Sequence, residues 1–205
     1  MTKFRILESK YFQHKIPLAA LDYYDQDSHG EDEFSRKQAW FYSYGDSEIE
    51  KEFREGLTSM FETLFLGDST EWDLVTLYPT HTKSEVNPNL RDLILDVSAD
   101  SNIPMTQVLE RTETVQENHV MSGEKTKAIN LEGSVEVKGD VEDKNIILVD
   151  NISLSGVSML HGAELLKKHG ANKVFAVSLG TGLGREYETT EIEDESATKL
   201  LGRLA

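Results

Sequence analysis

Between Asn145 and Ser158 the chain reads N-I-I-L-V-D-N-I-S-L-S-G-V-S, an order of residue types that builds an anion site. Ile146 to Val149 is an apolar run suited to a buried parallel strand, with Asp150 and Asn151 expected where that strand ends. The small-residue loop Ser153-Leu154-Ser155-Gly156-Val157-Ser158 follows, and a helical pattern begins at its end. The N–H groups of a helix's first turn have no partner within the helix and lie at the positive end of its dipole, so they suit a phosphate. An acid at the carboxyl end of a strand is placed to accept from sugar hydroxyls. The plain alternative is an ordinary strand-to-helix connection whose serines satisfy backbone groups. The V-D-N before the loop and the full-length helix pattern after it favour a ligand.

A second loop, Pro79-Thr80-His81-Thr82-Lys83-Ser84, follows the strand pattern Trp72 to Tyr78. Thr80, His81 and Lys83 are its candidate ligand contacts, Lys83 as a flexible point charge. Apolar strands alternating with helices at this spacing call for an α/β fold with a parallel sheet covered on both faces. In such sheets ligands bind at the carboxyl ends of the strands, which brings this loop and the Asp150 loop together.

Val149 to Ser158 resembles the phosphoribosyl-diphosphate (PRPP) motif of type I phosphoribosyltransferases, V-D-D-V-x-T-T-G-x-T/S. The first acid, the glycine and two hydroxyl positions coincide, while Asn151 replaces the second acid and Leu154 the first threonine. The resemblance implies a type I phosphoribosyltransferase-like α/β fold, a central mostly parallel sheet flanked by helices with a small N-terminal hood. It also implies roles. Asp150 and Asn151 would meet the ribose hydroxyls, and Asp150 would stabilise positive charge on the sugar. Residues Ser153 to Ser158 would hold the 5-phosphate through backbone N–H groups and the hydroxyls of Ser155 and Ser158. Mg²⁺ would arrive with PRPP, held partly by Asp150, and Lys83 would help neutralise pyrophosphate. The implied activities are transfer of phosphoribosyl to a base or amine, or non-catalytic sensing of PRPP or nucleotides, with Asn151 and Leu154 the departures that separate the two. Dimers are common in that family, so a homodimer is an expectation.

Arg111, Thr114 (or Thr112), Gln116, Lys127 and Asn130 are similar to a pattern of ComF-type, competence-associated phosphoribosyltransferases, in which this region is a mobile loop closing over the site. That resemblance extends over Trp72 to Leu179. The family's R-G-F-N-Q segment is replaced by Glu85-Val86-Asn87-Pro88-Asn89, and a chain without cysteine has no room for its Cys-rich zinc module.

The remaining elements must position these loops. Phe4 to Tyr24 reads as one or two strands with a turn near Pro17, and Asp25 to Arg36 as a solvated acidic loop. A helix from Ser47 to Leu66 carries an apolar stripe of Ile49, Phe53, Leu57, Met60, Phe61, Leu64 and Phe65, with Asp46 or Ser47 as cap. A helix is expected over Leu90 to Ala99, a short strand over Met105 to Leu109 and a mobile polar stretch over Arg111 to Thr126. A strand follows from Ile129 to Val137, then a turn at Gly139-Asp140, a helix from Ser158 to His169 stopped by Gly170, and a strand from Val174 to Leu179. Residues 1–70 are expected as an extension packing on a core of residues 71–205, with the run Trp40-Phe41-Tyr42 forming or supporting the hood.

Gly180-Thr181-Gly182-Leu183-Gly184 follows a strand, but the acidic residues after it would repel pyrophosphate, which argues against a dinucleotide site. The histidines lack metal-ligand spacing. A net charge of −16 argues against a nucleic-acid surface and is the mark of either a salt-rich habitat or simple solubility. No apolar run reaches the roughly 20 residues that span a bilayer, so a cytoplasmic protein acting on a small molecule is expected, with no membrane partner.

Overall fold

A computed structural model gives the protein's fold over residues 2–25, 32–66 and 71–182. In chain order the elements are β1 (Lys3–Leu7), β2 (Ile16–Tyr24), α1 (Glu33–Tyr44), α2 (Ser47–Phe61), β3 (Leu74–Leu77), α3 (Pro88–Ser101), β4 (Leu109–Arg111), α4 (Glu124–Leu131), β5 (Val135–Val137), β6 (Asn145–Ser153), α5 (Val157–Lys168) and β7 (Lys173–Gly182). Five strands form one sheet in the order β1-β2-β7-β6-β3, with β1 antiparallel and the other pairings parallel. β4 and β5 form a separate antiparallel ribbon. This is the expected α/β fold, a mostly parallel sheet flanked by helices.

Side chains of a strand alternate between faces, and the apolar run before Asp150 serves both. Ile147 and Val149 pack with Phe41, Phe53, Leu57 and Leu93 of α1, α2 and α3. Ile146 and Leu148 pack on the other side with Met159, Leu160 and Leu166 of α5 and with Leu109 and Val135 of the ribbon. The predicted stripe of α2 is buried from Phe53 onward, and Asp46 caps the helix by accepting from the N–H groups of Glu48 and Ile49. A π-helical turn, Glu62–Leu66, extends it.

Several expectations need correction. Pro17 is not at a turn: it lies inside β2 opposite Ile6 of β1, just before the residues that pair with β7. Residues Glu33 to Arg36, expected in a loop, open α1, because Asp32 accepts from Ser35 N–H and caps it. Met105 makes only a parallel bridge to Val75, and the strand near it starts at Leu109. Arg111 is not mobile but buried in β4, and the following stretch contains the 3₁₀ turn Asn118–Val120. Ile129 to Leu131 end α4 rather than begin a strand, which is confined to Val135–Val137. Residues before 71 give β1 and β2 to the sheet itself and α1 and α2 to its cover. The acidic stretch Glu186 to Glu195, with Gly184, lies outside the described residues, as do residues 26–31 of the acidic loop.

From β3 the chain leaves through α3 to Met105 on the outer side of β3, whereas from β6 it leaves through α5 to β7 on the other side. The connections diverge between β3 and β6 on opposite faces of the sheet, which opens a crevice at their carboxyl ends. α5 approaches the sheet closely at Gly162, where an added Cβ would meet Tyr78 Cδ2 at 2.9 Å and Leu148 Cδ2 at 3.0 Å. The Tyr78 ring cannot withdraw freely, since its hydroxyl meets His161 Nδ1 at 3.0 Å. Gly162→Ala is therefore expected to destabilise the fold by about 1–3 kcal/mol despite alanine's better helix propensity. Urea denaturation should show a lower midpoint, and an unchanged one would refute the close contact.

Candidate functional site

β6 does not end at Asp150. It continues through Ser153, pairing Asp150 with Ser178, Ile152 with Gly180 and Ser153 with Thr181 of β7. The two-residue alternation therefore runs through the polar pair. Asn151 follows Ile147 and Val149 toward the helical layer, where its Oδ1 accepts from Gln38 Nε2 of α1. Asp150 follows Ile146 and Leu148 toward the ribbon side, where the Arg111 guanidinium acts on it.

Both residues line a cavity of about 670 Å³ in the crevice between β3 and β6. Thr80, His81, Ser153, Leu154, Ser155, Gly156, Val157 and Ser158 line it as well, so the two loops meet. Lys83 does not line it: the side chain is exposed, and its backbone N–H donates to Thr114 Oγ1 at 3.1 Å. Glu85 takes part in the wall instead.

The loop geometry fits an anion. Gly156 sits at φ +74°, and a Cβ there would come within 2.8 Å of Leu7 Cδ2, so glycine is required twice over. α5 begins at the next residue, and its first internal bond is Leu160 N–H to Gly156 O at 2.9 Å. Among the described residues no side chain caps this helix, which leaves the N–H groups of its first turn facing the cavity.

Beneath the loop lies Arg5 of β1, almost fully buried. Its Nη1 donates to Thr181 Oγ1 at 2.8 Å and lies 3.3–3.4 Å from the carbonyls of Gly182, Ser153 and Leu154. In a trans peptide the N–H points opposite the C=O. By drawing the Ser153 and Leu154 carbonyls to itself, Arg5 turns the N–H groups of Leu154 and Ser155 the other way.

Charge within the cavity is mixed. Burial pushes the Asp150 carboxyl up to about 7, against the opposing pull of the Asn151 N–H, 2.7 Å from its Oδ1, and of Arg111. Arg111 is held rigidly: Nε donates to Thr80 O at 2.8 Å, Nη1 to Ser134 Oγ at 2.5 Å, and the guanidinium lies 5.5 Å from the Tyr78 ring centre. Burial raises the Tyr78 phenol and, helped by Arg111 and Lys168, pushes His161 down to about 4. Burial likewise raises Tyr42 of α1 to about 12, aided by Asp150, Glu85 and Glu117. Lys127 is lowered by burial, with Glu124 opposing.

The segment after Arg111 is fastened over the crevice. Val115 N–H donates to His81 O at 2.9 Å, His81 Nε2 lies 3.3 Å from Glu117 Oε1, and Asn118 Nδ2 donates to Ser158 Oγ at 3.1 Å. Asn130 braces it by donating to Gln116 O and Asn118 Oδ1. Arg111, Gln116 and Lys127 line the cavity, while Thr114 serves only the Lys83 loop.

Sequence reasoning missed Gln38 and Asn118 at this wall. Gln38 had a signal: a polar side chain spaced four and three residues from Phe34 and Phe41 on the inward stripe of α1. The aromatic run divides. Phe41 is core, Tyr42 lines the cavity, and Trp40 is 55% exposed.

Mg²⁺ is bound through one or two carboxylates together with phosphate oxygens and water. Asp150 fits as a single carboxylate ligand of that kind. Among the described residues no three acidic or histidine side chains form a cage.

No protein-family model matches the chain. A ribose-phosphate pyrophosphokinase from Shewanella oneidensis is 35% identical over 69 residues, which is 32% of this chain and 22% of that enzyme. The chain thus spans about a fifth of the length of the curated relative it matches. Among solved structures, glutamine phosphoribosylpyrophosphate amidotransferase from B. subtilis, complexed with ADP and GMP, is similar over 80% of this chain and 38% of its own, at 16% identity and TM-score 0.46. A hypoxanthine-guanine phosphoribosyltransferase from Bacillus anthracis covers 71% of this chain and 81% of its own, at 16% identity and TM-score 0.45. An adenine phosphoribosyltransferase from Trypanosoma brucei, in complex with AMP, pyrophosphate and ribose-5-phosphate, covers 76% and 78%, at 13% identity and TM-score 0.42.

Two outcomes test this electrostatic description. Arg5→Gln should weaken inorganic phosphate binding about tenfold or more, since charge-assisted bonds that orient the loop are lost; calorimetry with unchanged affinity would contradict the clamp. For Asp150, a folded-state pKa above the unfolded one means that its favourable contribution is present below about 4 and is lost as pH rises through about 7. The Tm of Asp150→Asn relative to the parent should therefore rise between pH 5 and pH 8, and a constant difference would show that burial does not govern the carboxyl.

Proposed function

We propose that the chain is a phosphoribosyltransferase-like protein that binds PRPP with Mg²⁺, or a nucleoside monophosphate, and transfers phosphoribosyl to a base or amine with release of pyrophosphate. The observation that supports it most is the convergence on one cavity of Asp150, the uncapped start of α5 with left-handed Gly156, and the buried Arg111. These supply an acceptor for a sugar hydroxyl, a cradle for a terminal phosphate and a fixed positive charge. The locally similar Shewanella oneidensis protein is named for ribose phosphate and pyrophosphate, which agrees with this ligand class.

In this reading the N–H groups of Leu154 to Ser158, with the Ser155 and Ser158 hydroxyls, hold the 5-phosphate. The Asn118 side chain on Ser158 Oγ then ties the overlying segment to the occupied loop. Asp150, once ionised, accepts from a ribose hydroxyl and favours the positive charge that develops on the sugar as pyrophosphate departs. Arg111 and Lys127 offset the charge of the leaving group, with His81 at the same wall; Lys83 has no part in it. Mg²⁺ would supply further neutralisation of the diphosphate, with Asp150 as its protein ligand. The overlying segment keeps water from the reacting sugar. The ComF-type pattern belongs to this proposal, because Arg111, Gln116 and Lys127 share the cavity.

A second reading, a non-catalytic sensor of PRPP or nucleotides, is favoured by one observation: the Asn151 carbonyl is engaged by Gln38, which leaves Asp150 as the single acid of the motif. One experiment separates the two. The transferase releases pyrophosphate from PRPP in the presence of Mg²⁺ and an acceptor, and Asp150→Ala lowers the rate at least a hundredfold. Tight PRPP binding by calorimetry without turnover across purine, pyrimidine and amine acceptors selects the sensor, and absence of binding of either ligand class rejects both.

A further inference from the structure

We infer that the α1 wall of the cavity, around Tyr42, is an acceptor subsite that excludes carboxylate-bearing acceptors. It takes a heterocycle whose edge carries an N–H donor beside an acceptor, as in a carboxamide or an amino-substituted ring. The inference rests on the reading of the cavity as a phosphoribosyl site and adds the class of group that joins the sugar there.

The polar groups of the cavity divide between the two faces of the sheet. On the face covered by α5 and the ribbon lie the first-turn N–H groups of α5 and the Arg111 guanidinium, 5.5 Å from the Tyr78 ring centre. Lys127, on the helix that packs against α5, also lines the cavity. This side suits phosphate and pyrophosphate. α1 covers the other face and turns Ala39, Tyr42 and Ser43 to the cavity. Glu85 from the loop after β3, Glu117 from the segment over the crevice and Asp150 from β6 line the cavity too, and all three act on the Tyr42 phenol. Among the described residues no lysine or arginine acts on it, whereas Arg111 acts on the Tyr78 phenol.

These groups are held in place. Asn87 Nδ2 donates to Tyr42 O at 3.0 Å, which ties the end of α1 to the start of α3. Glu85 closes a turn: its N–H donates to Thr82 O at 3.3 Å, and its carbonyl accepts from Thr80 N–H at 3.0 Å. Glu117 Oε1 lies 3.3 Å from His81 Nε2, the base that faces these acids. A carboxylate brought to this wall meets like charge in a partly dehydrated space, where repulsion is felt strongly. Burial and the same acids keep the Tyr42 phenol protonated, so it donates. The wall therefore offers one O–H donor among carboxylate acceptors. Its complement is an edge with one acceptor and an N–H donor, which a carboxamide has and an acceptor-only carboxylate lacks. A cavity of about 670 Å³ has room for such a group beside the sugar.

Calorimetry with nicotinamide mononucleotide, nicotinate mononucleotide and ribose 5-phosphate tests this without requiring turnover. The two nucleotides share the sugar phosphate and the pyridinium ring and differ only in carboxamide against carboxylate. The wild-type protein is expected to bind the carboxamide about tenfold more tightly, and salt raised to about 0.5 M should shrink that ratio at least twofold. Glu85→Gln and Glu117→Gln, which remove charge but keep size, should each narrow the ratio about two- to threefold. Tyr42→Phe should cost nicotinamide mononucleotide about fivefold relative to ribose 5-phosphate. Equal affinity for the two nucleotides, or a ratio that neither glutamine variant narrows, overturns the inference. So does a folded Tyr42→Phe protein that binds like the wild type, or binding of ribose 5-phosphate with rejection of both nucleotides. In each of these cases bound ribose 5-phosphate leaves the proposed function standing. If a variant fails to fold, the wild-type ratio and its salt dependence decide. No binding of any of the three ligands overturns both the inference and the reading beneath it.

Discussion

The continued pairing of β6 with β7 beyond Val149 is the constraint on which the site depends. Because Asp150, Ile152 and Ser153 remain in register with Ser178, Gly180 and Thr181, side chains keep their two-residue alternation to the end of the strand. A slip of one residue would exchange the faces, sending the apolar run's partners to the wrong layers and Asp150 away from Arg111. The register is held from both sides, since Ile147 and Val149 are fully buried against α1, α2 and α3, and Ile146 and Leu148 against α5 and the ribbon. Two neighbouring polar residues thereby acquire different surroundings: a half-buried carboxyl near a guanidinium, and an amide joined to another amide.

The same pairing sets the loop from Ser153 to Ser158. Thr181 accepts from Arg5 and donates to Ser153 O, so the end of β7, the edge strand β1 and the start of the loop are joined by one buried guanidinium. Gly156 then turns the chain with Leu7 of β1 beneath it. β1 is antiparallel to β2 and separated from β6 by two strands, yet it supplies both the support and the floor of the loop. The proposed anion site is compatible with a net charge of −16. The distant field is screened over about 10 Å at ordinary ionic strength, whereas the oriented N–H groups and the fixed guanidinium of Arg111 act at contact distance.

Much of this was legible in the chain. The apolar run from Ile146, the Asp150-to-Ser158 order, the α2 stripe and the meeting of the Tyr78 and Asp150 loops follow from periodicity, turn chemistry and the rule for parallel sheets. The corrections share a cause: each concerns a segment whose state is set by what packs on it. Pro17 looked like a turn because proline often marks one, but it falls in β2 before the pairing with β7 begins. The stretch after Arg111 looked mobile because it is polar, yet Arg111 itself finds carbonyls at Pro79 and Thr80 and a hydroxyl at Ser134. Ile129 to Leu131 alternate like a strand and nevertheless close α4, since alternation over three residues cannot distinguish the two.

By itself the sequence determined which residues could receive a phosphate and a sugar hydroxyl, and that they would lie at strand ends, because residue type and spacing are local properties. Only the tertiary structure decided which of them meet. Lys83 left the cavity and Arg111 entered it; Gln38 reached Asn151 across 113 positions of chain, and Arg5 reached Ser153 across 148. Contacts at such separations depend on strand order and helix placement, and these follow from the joint burial of many apolar side chains rather than from any short stretch of sequence.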